Sequence, residues 1–221
     1  MIIYHGSSNI IKQPIFHGGK EYNDYGYGFY CTEHEDLAKE WACSDYGRNG
    51  YANKYELNLE DLNILDLTDS NYTILNWMAI LLNHRQFDIT SDIALRAKAY
   101  LLKNFYIDVS QYDVVIGYRA DDSYFRFAKD FINNTISIQK LAQAMELGEL
   151  GQQVVLISEK AHIQLKYISS EQADYKIYYI KKVARDRLAR EAYLNDRKDT
   201  LSGLYIRDII NKGLTNGDKI L

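Results

Sequence analysis

The chain has 221 residues, 47% hydrophobic and 25% charged, a composition that fits a globular protein and argues against a disordered or coiled-coil chain. The formal net charge of −4 argues against a uniformly basic nucleic-acid-binding surface. No apolar run reaches the roughly 18 residues of a membrane helix, and the N-terminus does not look like a signal peptide. Two cysteines without a CxxC pair or metal-ligand spacing predict a reduced, cytoplasmic protein with no membrane contact and no metal.

The start of the chain predicts a strand, a turn and a capped helix. Residues 1–4 form a short apolar run, which predicts a buried strand that ends in a turn over residues 5–8. The sequence Thr32-Glu33-His34-Glu35 matches a capping box, in which the Thr32 hydroxyl accepts the Glu35 amide. A helix is therefore expected to start there and to stop near Gly47.

The rest of the chain predicts helices inserted between short strands. Strands are expected over residues 55–59, 62–67, 112–117, 153–157 and 165–168. Helices are expected over 70–85, from Ser91 to about 105, from Asp122 or Ser123, and from Ser137 to Gly148. The absence of a regular βαβ alternation favours an α+β fold. We predict one domain over residues 1–170, with a helical insertion at about 70–106, followed by a basic helical extension over 171–221.

The predicted extension has an uneven charge. Between Lys176 and Lys198 there are eight basic and three acidic residues, so this span carries +5 and the remainder −9. Such a run is either a solvated helix face or an arm that docks a phosphate-rich or acidic partner. The sequence leaves both interpretations open.

Three segments combine polar, glycine and aromatic residues. They are Tyr4-His5-Gly6-Ser7, the stretch 24–32 with Trp41-Ala42 downstream, and the stretch 151–156. Each alone has an ordinary explanation, such as a strand end or a glycine turn. Together with the buried YDVVIG strand and its following ADD, in this order, they resemble the ADP-ribosyltransferase-like superfamily, in its branch with an H-Y-[E/Q/D] triad. The closest resemblance is to a bacterial family of uncharacterised ADP-ribosyltransferase-like domains, and it covers about residues 1–168.

This resemblance implies a split, twisted antiparallel β-sandwich that binds NAD, as substrate, in a cleft. Within it, His5 would hydrogen-bond the adenosine-side ribose, and the Gly6 backbone would hold the nicotinamide carboxamide. Tyr30 would stack on the nicotinamide ring, because an aromatic face suits a cationic pyridinium. The implied NAD-binding residues are His5, Gly6, Ser7, Gly28, Phe29, Tyr30 and Thr32.

The implied triad consists of His5, Tyr30 and Gln153, with Gln152 as the reserve for the third position. Gln153 stands where many relatives have Glu. An amide can hydrogen-bond a ribose hydroxyl, but it can neither accept a proton as a base nor carry charge. The resemblance therefore implies mono-ADP-ribosylation rather than elongation of an ADP-ribose chain.

A base, if the acceptor needs one, has to come from another residue. Asp121 and Asp122 follow the buried strand and are the candidates, with Asp122 our choice and Glu149 a weaker one. The two aspartates serve equally well as the N-cap of the next helix. This alternative stays open.

The leading hypothesis is an NAD-dependent mono-ADP-ribosyltransferase that acts in bacteria as a cytoplasmic toxin or phage-defence effector. Its acceptor would be RNA, DNA or protein, and the resemblance alone implies a small antitoxin protein as partner. Two alternatives stay open. The same site with water as acceptor would be an NAD glycohydrolase, and a site degenerated by the loss of Glu would only bind NAD or ADP-ribose.

Overall fold

The computed structural model describes residues 1–120, 122–146, 151–196 and 203–221, and its fold is α+β, as predicted. The strands are β1 Ile2–Ser7, β2 Phe29–Cys31, β3 Gly50–Leu57, β4 Ile64–Asp66, β5 Val114–Gly117, β6 Gln153–Leu156 and β7 Leu165–Ala173. The helices are α1 Glu35–Ala42, α2 Ile74–His84, α3 Asp92–Asn104, α4 Asp122–Ile132, α5 Ile138–Glu146, α6 Glu159–Ile163, α7 Tyr175–Asp196 and α8 Ile206–Lys212.

The strands of the described residues form two sheets, which a backbone bridge joins. The first sheet has the order β1-β3-β7 and is antiparallel throughout. The second has the order β2-β6-β5-β4 and is antiparallel except for the β4–β5 pair. Tyr4 and Thr32 exchange backbone hydrogen bonds of 2.7 and 2.9 Å between the sheets. Two residues further along the same register, Gly6 and Tyr30 are not paired with each other, and we call the opening between them the fork.

The second sheet has a core on each face. Strand alternation sends Val154 and Leu156 towards the first sheet and Val155 towards the helices. The inter-sheet core consists of Ile3, Phe29, Cys31, Tyr55, Leu57, Val114, Ile116, Val154, Leu156 and Ala161. The larger helical core is formed by α2 to α5, α8, the residues Ala189 and Tyr193 of α7, and the other face of the second sheet. Helix α1 covers the outer face of the first sheet, and α7 packs on α1.

Two predictions at the start of the chain are wrong. Strand β1 does not end in a turn at His5, because its pairing with β3 continues to Ser7. Helix α1 begins at Glu35, ends at Ala42 and has His34 as its N-cap, without a side-chain cap. The Thr32 hydroxyl accepts the His34 amide at 3.2 Å instead of the Glu35 amide, since the bridge to Tyr4 holds Thr32 in extended conformation.

The predicted helices agree better with the structure. The Ser91 hydroxyl caps α3 by accepting the Ala94 amide, as expected. Helix α2 starts later than predicted, because Thr73, rather than Ser70, forms its N-cap. The predicted end of α5 at Gly148 lies outside the described residues. Strand β7 continues to Ala173, so the predicted boundary after residue 170 falls inside a strand.

The basic extension is attached to the domain by ion pairs. Lys181 of α7 lies 2.9 Å from Asp36, and Arg185 makes two hydrogen bonds to Glu40, at 3.0 and 2.7 Å. Both acids belong to α1. Part of the positive charge that the sequence assigned to a solvated face or a docking arm therefore holds α7 against the rest of the chain.

Candidate active site

The fork exposes backbone atoms of β1. In an antiparallel strand, the N–H and C=O groups of alternate residues point to the same side. Those of Tyr4 point to β2, where they bond Thr32, and those of Gly6 therefore point into the fork. The α-carbon side of Gly6 is filled by α1, because an added Cβ would lie 2.0 Å from the Ala38 carbonyl oxygen. Packing against α1 therefore requires the glycine, while its backbone is free to approach a ligand.

Tyr30 is held on the opposite side of the fork. Its hydroxyl donates to the Gly26 carbonyl at 2.7 Å and accepts the Tyr25 amide at 3.0 Å. Gly26 has φ +77°, a backbone conformation that favours glycine. Burial raises the pKa of the Tyr30 phenol, so it stays protonated. The loop over residues 24–28 thus fixes the tyrosine ring at the fork.

The His5 side chain points towards the inter-sheet core, on the opposite face from the Tyr30 side chain. Its ring stacks on Phe29 with centroids 4.3 Å apart, and its Nδ1 lies 2.7 Å from the Tyr30 carbonyl oxygen. A carbonyl only accepts, so Nδ1 carries the proton. Burial lowers the pKa of His5, which keeps the ring neutral at neutral pH. Nε2 is then a hydrogen-bond acceptor, and it has no donor among the described residues.

Gln153 lies on the same face of the second sheet as Tyr30. It is 5% exposed, and its Nε2 donates to Asp24 Oδ2 at 3.2 Å. Its Oε1 is buried and has no donor within the described part of the chain. A buried acceptor without a donor costs about 1–3 kcal/mol, unless a ligand or water supplies the bond. Gln152 is exposed.

Asp24 is a buried carboxylate that the sequence prediction did not include among the site residues. It is 5% exposed, and Oδ2 accepts the Ala120 amide at 2.8 Å as well as Gln153. Arg85 Nη1 lies 3.6 Å from Oδ1. Burial raises the pKa of Asp24, opposed by the Ala120 hydrogen bond and the nearby arginines. The Asp24 side chain therefore connects its own loop with Arg85, Ala120 and Gln153, which lie far apart in the sequence.

Trp41 and Arg119 complete this side of the fork. The Arg119 guanidinium lies 4.0 Å from the centroid of the Trp41 ring, a cation–π contact. The Trp41 indole N–H is buried and has no acceptor among the described residues. Trp41 belongs to the Trp41-Ala42 pair that carries part of the family resemblance. No pattern in the sequence connects Arg85 or Arg119 with Asp24.

A surface groove lies on the His5 side of the fork. The ring of Phe29, which stacks on His5, has its centroid 6.2 Å from that of His162. The His162 and Phe16 rings pack edge to face, with centroids 5.4 Å apart. The groove is lined by Gln13, Pro14, Ile15, Phe16, Glu159, His162 and Ile163. Ile15 and Ile163 are about four-fifths exposed, at 80% and 78%, so the groove has an apolar rim. A series of aromatic rings thus connects His5 with the surface.

A buried asparagine holds the end of β1 in place. The Asn53 side chain is fully buried and donates to His5 O, Ser7 Oγ and Asn9 O. Its Oδ1 accepts from the Ile11 amide and from the Ser170 hydroxyl. This role is not predicted by the sequence, because an asparagine inside a strand gives no local signal.

The other predicted site residues have mainly structural contacts. The Ser7 hydroxyl accepts a hydrogen bond from the Asn53 side-chain amide. A Cβ on Gly28 would lie 2.6 Å from a Val155 methyl group, so this glycine allows close packing on β6. The α4 helix begins at Asp122, whose side chain is not described, and Asp121 and Glu149 lie outside the described residues. Their predicted role as a base stays a prediction.

The family of the chain is shown by a match to the family model DUF3990, described as a protein of unknown function, over residues 1–167. The chain therefore belongs to this family. The match includes β1 to β6 and ends within β7, before the basic extension. No curated protein and no solved structure matches the chain. Among the described residues, no helix is long and apolar enough to cross a membrane, and no group of His, Cys, Asp and Glu is arranged to hold a metal.

Proposed function

We propose that this chain is an NAD-dependent mono-ADP-ribosyltransferase with its active site at the fork. The observation that carries the proposal is the buried Gln153 Oε1, which has no donor among the described residues, together with His5, whose Nε2 is left as an acceptor. A ribose offers neighbouring hydroxyl donors that would satisfy such atoms. The bridge between two mainly antiparallel sheets supports a split ADP-ribosyltransferase-like sandwich as the finer fold assignment.

The groups around the fork fit the two ends of NAD. The Gly6 backbone and the Tyr30 ring suit the nicotinamide carboxamide and the cationic pyridinium. The Trp41 indole N–H adds an unpartnered donor on that side. The adenosine end would extend past His5 to the apolar groove, where flat rings can stack on exposed aromatic side chains.

The proposed reaction replaces one bond at the ribose anomeric carbon. The C1′–N bond breaks, and its electron pair goes to the nicotinamide nitrogen, which leaves as a neutral molecule. A lone pair of the acceptor forms the new bond to C1′, and the acceptor proton is released to solvent or to a base. The site would hold the ribose hydroxyls and the leaving group in orientation while positive charge develops on the ribose.

The charges of α7 bear on the acceptor class. Four basic side chains of α7 are ion-paired within the chain, namely Lys181, Lys182, Arg185 and Arg187. The extension therefore offers less free positive charge to RNA or DNA than its sequence predicted. A bacterial toxin or defence effector, neutralised by a small partner protein, remains part of the proposal on the strength of the resemblance.

The test is nicotinamide release from NAD by the purified chain, with cell RNA, DNA and protein fractions added in turn. Two matched pairs of variants separate the site from its surroundings. Gln153→Ala should abolish release, whereas Gln152→Ala, which changes an exposed neighbour, should not. Tyr30→Ala should abolish release, whereas Tyr27→Ala, which changes a 39% exposed ring, should have little effect.

Release that depends on one fraction, together with label from NAD on that fraction, would support a transferase and identify its acceptor class. Release without any fraction, giving free ADP-ribose, would identify a glycohydrolase instead. NAD binding without release would make the chain a binding module and refute the proposal. Label transfer to nucleic acid should weaken steeply with salt, because phosphate contacts release counterions.

A further inference from the structure

We propose that Asp24 is a positioning residue that orients the Gln153 amide, so that the Asp24–Gln153 pair acts in place of a single glutamate. This inference rests on the proposed function. Asp24 would not touch the substrate. It would determine which atom of Gln153 faces the reacting ribose, and it would supply the negative charge that the amide lacks.

The geometry leaves one orientation for the amide. Asp24 Oδ2 lies 3.2 Å from the amide nitrogen, and only the nitrogen can donate to a carboxylate. With the amide turned over, Gln153 Oε1 would face Asp24 Oδ2, placing two acceptors in contact. The observed orientation directs Oε1 away from Asp24, to a buried position where no described residue donates to it.

The surroundings of Asp24 keep it in this position. The Ala120 amide donates to the same oxygen at 2.8 Å, and Arg85 lies 3.6 Å from the other oxygen. The carboxylate is thereby fixed between the loop after β5 and the end of α2. A side chain with these contacts holds its orientation while a ligand binds, which is the condition for electrostatic preorganisation.

The charge of Asp24 would act through the amide. A carboxylate next to the N–H group polarises the amide, so Oε1 becomes a stronger acceptor for a ribose hydroxyl. Positive charge develops on the ribose as nicotinamide leaves. The negative Asp24, separated from the ribose by the Gln153 side chain, therefore stabilises the transition state more than the ground state. If Asp24 only stabilised the fold, its contacts to Ala120 and Arg85 would be needed, but its contact to Gln153 would not.

Exchanging the two side chains separates these roles. Asp24→Asn should lower kcat for nicotinamide release about 10- to 100-fold with little change in KM, because the asparagine oxygen can still accept from Ala120 and Gln153 but supplies no charge. In the double variant Asp24→Asn/Gln153→Glu, the charge returns at position 153. The amide introduced at position 24 donates to this carboxylate only by giving up the hydrogen bond from the Ala120 amide, since one Asp24 oxygen accepts both. We expect kcat at least about fivefold above that of Asp24→Asn. Asp88→Asn, which changes an exposed carboxylate in the loop between α2 and α3, is the control for charge loss.

A thermal measurement keeps the test valid if Asp24→Asn alone does not fold. Gln153→Glu by itself would oppose two carboxylates across the 3.2 Å contact, so it should melt below wild type. The exchange variant should melt above Gln153→Glu, because adding Asp24→Asn removes this repulsion.

Three outcomes would overturn the inference while wild type remains active. They are full activity in Asp24→Asn, a folded exchange variant as inactive as the single variant, and an exchange variant no more stable than Gln153→Glu. A wild-type chain that releases no nicotinamide would refute the proposed function itself and, with it, this inference.

Discussion

Helix α7 packs on α1, where Arg185 pairs with the buried Glu40, and Arg185→Met should weaken this attachment. The Glu40 side chain is 2% exposed, and it receives two hydrogen bonds from the guanidinium, at 3.0 and 2.7 Å. Methionine retains the apolar stem but leaves a buried carboxylate without its cation. Loss of one partner of a buried pair costs about 3–5 kcal/mol. Because Arg185 is 22% exposed and water can reach the site, we expect the lower end, about 3 kcal/mol.

In a chain of this size, about 3 kcal/mol corresponds to a fall in melting temperature of roughly 6–12 °C. The assay is thermal unfolding followed by circular dichroism, with denaturant unfolding for the free energy. Arg187→Met is the matched control on the same helix, because Arg187 and Glu191 are 68% and 55% exposed and 3.8 Å apart. That control should cost less than about 0.5 kcal/mol.

A double variant tests the reason for the loss. Glu40→Leu/Arg185→Met leaves no unpaired buried charge, and it should be more stable than Arg185→Met alone. The reasoning is refuted if Arg185→Met melts together with the Arg187→Met control, or if the double variant is less stable than the single one. Because α1 carries Trp41 and packs on Gly6, loosening α7 should also reduce any activity at the fork.

Three further predictions concern the neighbourhood of the fork. Gly6→Ala should fail to fold, or lose several kcal/mol in denaturant unfolding, because its Cβ would meet the backbone of Ala38 at 2.0 Å; a stable variant would contradict this packing. Burial lowers the pKa of His5, so below about pH 6.5 the unfolded chain binds a proton that the folded chain does not bind. The stability due to neutral His5 is therefore present above about pH 6.5 and is lost as the pH falls through the folded pKa. The melting temperatures of wild type and His5→Gln, measured over this range, should therefore converge at acid pH, and a constant difference would count against the assignment. Asn53→Leu should cost about 3 kcal/mol and increase amide hydrogen exchange over residues 5–11, whereas unchanged exchange there would show that Asn53 does not hold this segment.

Elements whose signal is local can be predicted from the sequence. The β-branched runs of β5 and β6 are strands buried on both faces, because an apolar run of this length has to be covered on each side. Ser91 caps α3 through an interaction between residues three positions apart. The candidate residues His5, Tyr30 and Gln153 could also be chosen from motifs, although their roles remain predictions.

How these elements meet depends on contacts between distant segments, which the structure reveals. β1 runs on through His5 because it pairs with β3, and α1 starts late because Thr32 is bridged to Tyr4. Asp24 and Gln153 are 129 residues apart in the chain, and their contact depends on β6 lying next to β2. No local pattern encodes such a contact, since packing and charge neutralisation between distant segments select it. The fork, with the unpartnered Gln153 Oε1 beside it, is for the same reason a property of the fold and not of any one motif.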